Sequence, residues 1–166
     1  MKRSFQLTVC PLVGGRWAGY LHKHLVAAHK MLRSSVRDLS VAVVDEPLMR
    51  QLHRRYLKSS SSTDVLSFEL DADGHGNVLA GQIVICLPVA RRSARGRGLA
   101  VGRELLLYAL HGLLHLSGWD DRTEAGFQAM HAKEDEILIR LGVGRVFRPP
   151  GGRLASGVSG TSRGAR

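Results

Sequence analysis

Apolar side chains recur along this chain with two different periods. Strict alternation at Phe5, Leu7 and Val9 predicts a strand with one buried face. Further apolar runs rich in β-branched residues predict three more strands, at residues 41–44, 65–68 and 78–86. The last two runs are separated by the turn residues Asp71, Asp73 and Gly74, so we expect them to be a hairpin or near neighbours in one sheet.

Apolar residues spaced three and four apart lie between and after these runs and predict helices. The predicted helices cover residues 17–32, 45–56, a short stretch from residue 88, 102–116 and 123–141. The segment 102–116 is apolar around most of its circumference, which is typical of a buried central helix. The pattern predicts an α+β fold in which a small mixed sheet of about four strands packs with four to five helices. It does not reveal the order of the strands.

The length of 166 residues suits one domain with a single core. We expect this domain to occupy residues 1–150. From residue 151 to 166 the chain is dominated by Gly, Ser and Arg, which predicts a disordered basic tail. The oligomeric state cannot be predicted from these patterns.

The formal charge of +10 favours a polyanionic partner, because cationic side chains release the counterions of nucleic acids. A generally basic proteome is the alternative explanation. The cations fall partly into two groups: Arg50, Arg54, Arg55 and Lys58, and then Arg91, Arg92, Arg95, Arg97 and Arg103.

No apolar run approaches the roughly 20 residues that span a bilayer, so we expect no membrane partner and a soluble, cytoplasmic protein. The two cysteines, Cys10 and Cys86, show no framework spacing. We therefore expect them to be buried, reduced thiols, although the sequence does not exclude a disulfide between them.

The segment His111 to Asp121 carries the clearest chemistry. His111 and His115 are four residues apart on a predicted helix, so both imidazoles project from one face and can share one metal ion. Gly118 allows a sharp turn, which we expect to return both Asp120 and Asp121 to the same face. The alternative for the histidines alone is a hydrogen-bonded core pair, but burying two imidazoles without partners on an apolar helix is costly.

These positions form the pattern HxxxHxxGxxD, which resembles the metal-binding helix and glycine turn of metzincin-type proteases. Three protein ligands leave one coordination position for water, as catalytic zinc sites do. However, Gly112 stands where zinc proteases of this type place a glutamate general base. A protease is therefore the least favoured hydrolase.

The chain also resembles the YbeY-type endoribonucleases, whose signature is HGxLHLxGYDH. The resemblance includes the matching segment from His111 to Asp120, the TDVLSF segment at 63–68 and the strand from Ala80 to Ile85. Together with Glu134 and Ile137 on the last helix, it extends over about residues 40–142. It implies an α+β fold, one zinc ion or another first-row divalent metal, and cleavage of single-stranded RNA in ribosomal RNA maturation and ribosome quality control. The implied partner is ribosomal RNA or the ribosome, and the ligands carried over are His111, His115 and Asp121.

Three residues depart from this family's pattern. Asp121 replaces a metal-binding histidine, which is tolerable because carboxylates are ordinary zinc ligands. Leu57 stands where an arginine is expected, and Gln82 replaces the acid of a Gly-Asp-Ile strand. The last two favour the alternative function of a ribosome-assembly or RNA-binding factor with a structural metal and little catalysis.

The loss of an arginine at Leu57 matters because an arginine in the cleft would stabilise phosphorane charge. The sequence offers Arg54, Arg55 and Lys58 as replacements, and these are our candidate catalytic residues for phosphate stabilisation. Since the three lie on one helix, only some of them can face a cleft. Solvated surface charge is the other interpretation for each.

Overall fold

A computed structural model describes residues 4–58 and 63–145, together with the backbone of Gly160–Ser162. The strands are β1 (Gln6–Pro11), β2 (Asp38–Val44), β3 (Val65–Ala72), β4 (Val78–Cys86) and the short β5 (Gly160–Ser162). The helices are α1 (Ala18–Leu32), α2 (Glu46–Leu57), α3 (Leu87–Arg97), α4 (Val101–Leu116) and α5 (Glu124–Arg140). The predicted α+β fold, with a mixed sheet and five helices, is confirmed in the described part of the chain.

The strands form one sheet in the order β1-β2-β4-β3-β5. Strands β1, β2 and β4 are parallel, while β3 runs antiparallel to β4. The predicted hairpin between β3 and β4 is therefore present. Strand β4 lies in the middle because it pairs with both β2 and β3, a topology that no local pattern reveals.

The sheet has two apolar faces because successive side chains of a strand point to opposite sides. On one face, called the inner face here, Val41, Val43, Ile83 and Ile85 join the large core formed with α1 and α4. On the outer face, residues of the same strands pack with Met49 of α2 in a smaller cluster. Helices α2 and α4 therefore lie on opposite faces of the sheet.

Helix α4 is the centre of the molecule, as its apolar sequence predicts. Twelve of its 16 residues are buried, including Glu104 and His111. The sheet covers one side of it, and α1, α3 and α5 contact it elsewhere. The metal-binding segment predicted from the sequence thus begins inside the best-packed part of the core.

Glycines allow α4 to lie close to β4. A Cβ built at Gly112 would stand 3.0–3.1 Å from three side-chain atoms of Ile83, and one at Gly81 would stand 2.6 Å from Leu116 Cδ1. Gly112 therefore faces the sheet. This contact explains physically why the position cannot hold the glutamate of a zinc protease.

Capping residues fix two helix starts where the sequence predicts them. The Asp45 carboxylate accepts a hydrogen bond from the Leu48 amide at 3.0 Å, and the Thr123 hydroxyl accepts one from the Gly126 amide at 3.0 Å. These caps set the first residues of α2 and α5.

The expectation for the two cysteines is correct only for Cys86. Cys86 is buried, but Cys10 is exposed, so the expectation of two buried thiols is wrong for Cys10. It lies on the edge strand β1, where alternate side chains face outward. Cys10 and Cys86 are not joined to each other by a disulfide.

Within the predicted disordered tail, Gly160–Ser162 form β5 and pair in parallel with Leu66–Phe68, which differs from the expectation for those three residues. Backbone pairing to the edge of β3 needs no particular side chain, so composition could not indicate it. The rest of residues 151–166 lies outside the described residues. The proposed limits of the domain and tail therefore stay a prediction.

No single helix in the described ranges is long and apolar enough to cross a membrane. Only α3 and α4 taken together reach the required length and composition, and they are bent by 119° at their junction.

We predict that Gly112→Ala leaves the protein less stable than Gly19→Ala by about 1–3 kcal/mol. Both are helical glycines, but the space around a Cβ at Gly19 is empty, whereas the new methyl group at Gly112 would push against Ile83. Alanine favours both helices, so the comparison isolates the packing cost. Chemical denaturation measures it, and equal stabilities would contradict the close contact.

Candidate metal centre

The structure brings His111, His115 and Asp121 together at the end of α4. The two imidazole Nε2 atoms are 3.0 Å apart. The Asp121 carboxylate places Oδ2 3.5 Å from His111 Nε2 and Oδ1 3.6 Å from His115 Nε2. Among the described residues, these three form the group whose ligand atoms could hold one metal ion.

Local backbone geometry brings Asp121 back to the helix. Helix α4 ends as the amides of Gly118 and Trp119 bond to the carbonyls of His115 and Leu114, both at 3.0 Å. Gly118 has φ 95°, a conformation that an L side chain rarely adopts. The chain therefore reverses within a few residues, as the glycine in the sequence predicts.

A hydrogen bond at the Nδ1 atom of each imidazole fixes the orientation of the ring. His115 Nδ1 lies 3.1 Å from the Trp119 carbonyl oxygen, which can only accept, so Nδ1 carries the proton. His111 Nδ1 lies 2.6 Å from Glu134 Oε1 and donates to this carboxylate. In their neutral forms both rings therefore turn Nε2 inward as an acceptor.

Electron-rich atoms consequently converge on one point. Two Nε2 lone pairs and the Asp121 carboxylate face each other. Burial alone would lower the pKa of His111, but its hydrogen bond to Glu134 and the charges of Glu134 and Asp121 outweigh burial and raise this pKa. The hydrogen bond and charge of His115 lower the pKa of Asp121. Each effect reflects an arrangement that attracts positive charge.

A divalent ion of the zinc type fits this arrangement. Tetrahedral coordination with bonds of about 2.05 Å places neighbouring ligand atoms about 3.3 Å apart. The observed separations of 3.0, 3.5 and 3.6 Å lie around that value. Two imidazoles and a carboxylate are also an ordinary ligand set for first-row divalent metals. The group is therefore suited to hold a metal ion without rearrangement.

Glu134 supports the site from α5. Its side chain is fully buried, with Oε1 bound to His111 and Oε2 2.7 Å from His131 Nδ1. The His131 ring packs edge-on against Phe127 at 4.1 Å between centroids. Burial would raise the pKa of Glu134, but the hydrogen bonds from both histidines prevail and lower it. Glu134 is therefore a buried carboxylate held by two imidazoles.

Sequence reasoning did not assign this supporting role to Glu134. Its signal is nevertheless visible, because Glu134 shares the apolar face of α5 with Met130, Ile137 and Leu138. An acid on such a face requires a partner. The partner His111 is 23 positions away in sequence, so only the fold identifies it.

Asp64 is a second buried acid near the centre. It is 5% exposed, and its Oδ1 accepts a hydrogen bond from the Val65 amide at 2.8 Å. Its charge contributes to the raised pKa of His111, and strand β3, which begins at the next residue, contacts α4. Asp64 belongs to the TDVLSF segment, so this resemblance and the histidine motif meet in space.

Asp120, the neighbouring acid, is placed differently. Its side chain is 42% exposed and bound to Arg122, whose hydrogen bonds lower the pKa of Asp120 to about 2. The structure thus separates adjacent acids: Asp121 faces the histidines and Asp120 faces solvent.

Of the candidate catalytic cations, Arg54 and Arg55 are exposed on α2, and Lys58 is exposed at the residue that follows this helix. This helix packs on the outer face of the sheet, whereas α4 packs on the inner face. The Arg55 guanidinium lies 5.5 Å from the centre of the Tyr56 ring. The structure therefore does not group these three cations with the histidines as it groups Asp121, and their role stays a prediction.

The departures Leu57 and Gln82 are also on the α2 side. Leu57 packs against the outer cluster. Gln82 lines an outer-face groove of about 370 Å³ with Leu52, Tyr56 and Phe68. The replacement at Gln82 therefore changes the outer groove rather than the face of β4 that supports α4.

Comparisons with known proteins agree with this geometry. The family described as Endoribonuclease YbeY matches residues 16–142. The chain is 38% identical over 117 residues to Endoribonuclease YbeY of Geobacillus thermodenitrificans, covering 65% of this chain and 75% of the relative. It is 35% identical over 126 residues to the protein of that name from Corynebacterium kroppenstedtii, covering 68% and 62%.

The fold has a solved counterpart in the solution structure of TM1509 from Thermotoga maritima. The TM-score is 0.54 at 21% identity, and the match covers 89% of this chain and all of the other. The family match over residues 16–142 includes the helix of His111 and His115, the turn and Asp121, so the site lies within the matched region. The chain belongs to the Endoribonuclease YbeY family.

Proposed function

We propose that this protein is a metal-dependent endoribonuclease that cleaves single-stranded RNA during ribosomal RNA maturation and ribosome quality control. The observation that carries the proposal is the convergence of two Nε2 acceptors and one carboxylate at the end of α4. The names of the relatives support RNA as substrate. The charge of +10 supports an anionic partner.

In this proposal His111, His115 and Asp121 hold one zinc ion or another first-row divalent metal. When bound, such an ion polarises a phosphoryl oxygen and acidifies water near neutral pH. Glu134 and the Trp119 carbonyl orient the two imidazoles so that no rotation of either ring is needed. Asp121 contributes negative charge and, at 20% exposure of its side chain, lies on the solvent-accessible side of the group.

The second candidate is an RNA-binding assembly factor in which the metal is structural and catalysis is weak. Leu57 favours it, because an apolar side chain packed on the outer cluster supplies no charge for a phosphorane. In the endoribonuclease candidate, we propose that the nearby cations Arg54, Arg55 and Lys58 supply this positive charge instead. The two candidates differ in whether purified protein cleaves ribosomal RNA fragments.

The Asp121 series tests the ligand set. Parent protein should take up about one zinc ion per chain, and Asp121→Ala should lower its affinity by more than the roughly 10–100-fold cost of losing an outer-shell partner. Asp121→Asn should also bind poorly, because it lacks the charge that offsets a dication, whereas Asp121→His should bind well. Competition with a chromogenic chelator measures each affinity.

Asp120→Ala is the matched control, since it removes the neighbouring exposed acid. It should retain zinc at the affinity of the parent. If Asp121→Ala retains zinc equally well while Asp120→Ala loses it, the assignment of the third ligand is wrong.

Glu134→Gln should lower zinc affinity roughly 10–100-fold, because a neutral amide holds the protonated Nδ1 of His111 more weakly than a carboxylate. Glu136→Gln on the exposed side of the same helix should leave the affinity unchanged. Thermal melting of the metal-free variants separates a folding defect from a binding defect. Equal zinc affinities for both variants would remove Glu134 from the site.

Replacing Arg54, Arg55 and Lys58 together by Gln should lower kcat/KM on an RNA fragment at least about tenfold if they stabilise phosphate charge. The metal content should not change, because none of the three belongs to the ligand group. A loss confined to KM would indicate ground-state RNA contacts only. Unchanged kinetics would assign all three to solvated surface.

A further inference from the structure

A second cationic surface surrounds Trp17, far from the residues assigned above. We call Arg16, Arg91, Arg95 and Arg103, together with the indole, the Trp17 patch. The Arg16 guanidinium carbon lies 4.1 Å from the centre of the Trp17 ring, and that of Arg91 lies 5.8 Å from it. Both distances are within the range of a cation–π contact.

Three separate parts of the chain build this surface. Arg16 precedes α1, Arg91 and Arg95 lie one turn apart on α3, and Arg103 is in the first turn of α4. A Cβ at Gly102 would be 3.1 Å from the Trp17 ring, so the indole packs closely on the start of α4. Burial raises the pKa of Tyr20, one turn after Trp17, and the charge of Arg103 opposes this rise. The fold therefore brings Arg16, Arg91 and the start of α4 together around the indole.

Ion pairing divides the arginines of α3 into two sets. Arg92 is bound to Glu46 at 2.9 Å, and Arg97 is bound to the buried Glu104. Among residues 4–58 and 63–145, the four arginines of the Trp17 patch form no ion pair. The patch thus keeps its positive charge, while neighbouring arginines on the same helix are neutralised.

An anion that lies over such a cluster relieves the mutual repulsion of its cations. Arginines present several donors in a planar fork that matches phosphate oxygens, and the indole fixes two of them in place. Cations that come from three segments are spaced over a surface, so they can contact successive phosphates of one strand. The chemistry of the patch therefore fits the backbone of a nucleic acid strand.

The patch and the metal centre lie at opposite ends of α4. His111 follows Arg103 by eight positions, which corresponds to about 12 Å along a helix axis. One RNA strand is long enough to contact both places. A strand held at the Trp17 patch would also lose less freedom when it engages the metal centre.

We propose that the Trp17 patch binds the phosphodiester backbone of an RNA strand and anchors the substrate at a distance from the metal centre. This inference rests on the proposed function for the identity of the ligand. It adds a binding surface that is separate from the proposed metal ligands His111, His115 and Asp121. The surface is also separate from the candidate catalytic cations at α2.

The test compares two double variants with the same change in charge. Arg16→Gln/Arg91→Gln removes two unpaired cations at Trp17, whereas Arg50→Gln/Arg92→Gln removes two cations paired with Glu46. Fluorescence anisotropy with a labelled single-stranded RNA of about 20 nucleotides measures binding across a salt series. Metal-free protein is used, so the result does not depend on cleavage.

We expect the Arg16/Arg91 variant to bind about tenfold more weakly near 0.1 M salt, with a slope of log affinity against log salt reduced by about 1.4. The Arg50/Arg92 variant should change binding less than about twofold. If both variants weaken RNA binding equally, the affinity depends on the overall charge of the protein and the proposal is wrong. No weakening by either would overturn it in favour of solvated arginines.

A further arm uses vesicles of phosphatidylglycerol and phosphatidylcholine. If Arg16→Gln/Arg91→Gln abolishes vesicle binding but keeps parental RNA affinity, the patch serves a membrane surface and the proposal is wrong. Failure of the proposed function would look different. Parent protein with zinc bound would then leave RNA intact, whatever the double variants show in the binding assay.

Discussion

The hydrogen bond between His111 and the fully buried Glu134 connects the core with the chemistry of the site. An ionised carboxylate inside an apolar core is costly unless it is paired. Glu134 meets this requirement with two imidazoles, and in doing so it joins α5 to α4 and orients His111. The same contact that makes the burial of Glu134 tolerable therefore sets the direction of one proposed ligand.

Close packing supplies the second constraint. Gly112 and Gly81 let α4 approach β4, so that the helix can be covered on almost every side. With Gly112 against Ile83, the position after the first histidine belongs to the core. A protease places its general base at this position, so packing and chemistry both oppose a protease here.

Much of this could be predicted from the sequence because the signals are local. The periods of apolar residues located all four long strands, and the spacing of His111, His115 and Asp121 around Gly118 predicted that their side chains come together. What could not be predicted depends on pairing between distant segments. The central place of β4, the partnership of His111 with Glu134 and the division of α2 and α4 between two faces of the sheet are all of this kind.

The arginines show most clearly that the sequence alone does not reveal which distant residues pair. In the sequence, Arg91 and Arg92 are adjacent members of one basic run, and composition assigns them the same role. In the fold, Glu46 on α2 forms an ion pair with Arg92. The adjacent Arg91 instead lies over the ring of Trp17, which belongs to the first part of the chain. Since a cation paired with an acid has less to offer a phosphate, the count of 24 basic residues overstates the cationic surface available to RNA. The distribution of acidic partners, rather than the count of basic residues, therefore decides where this protein can hold an anionic strand.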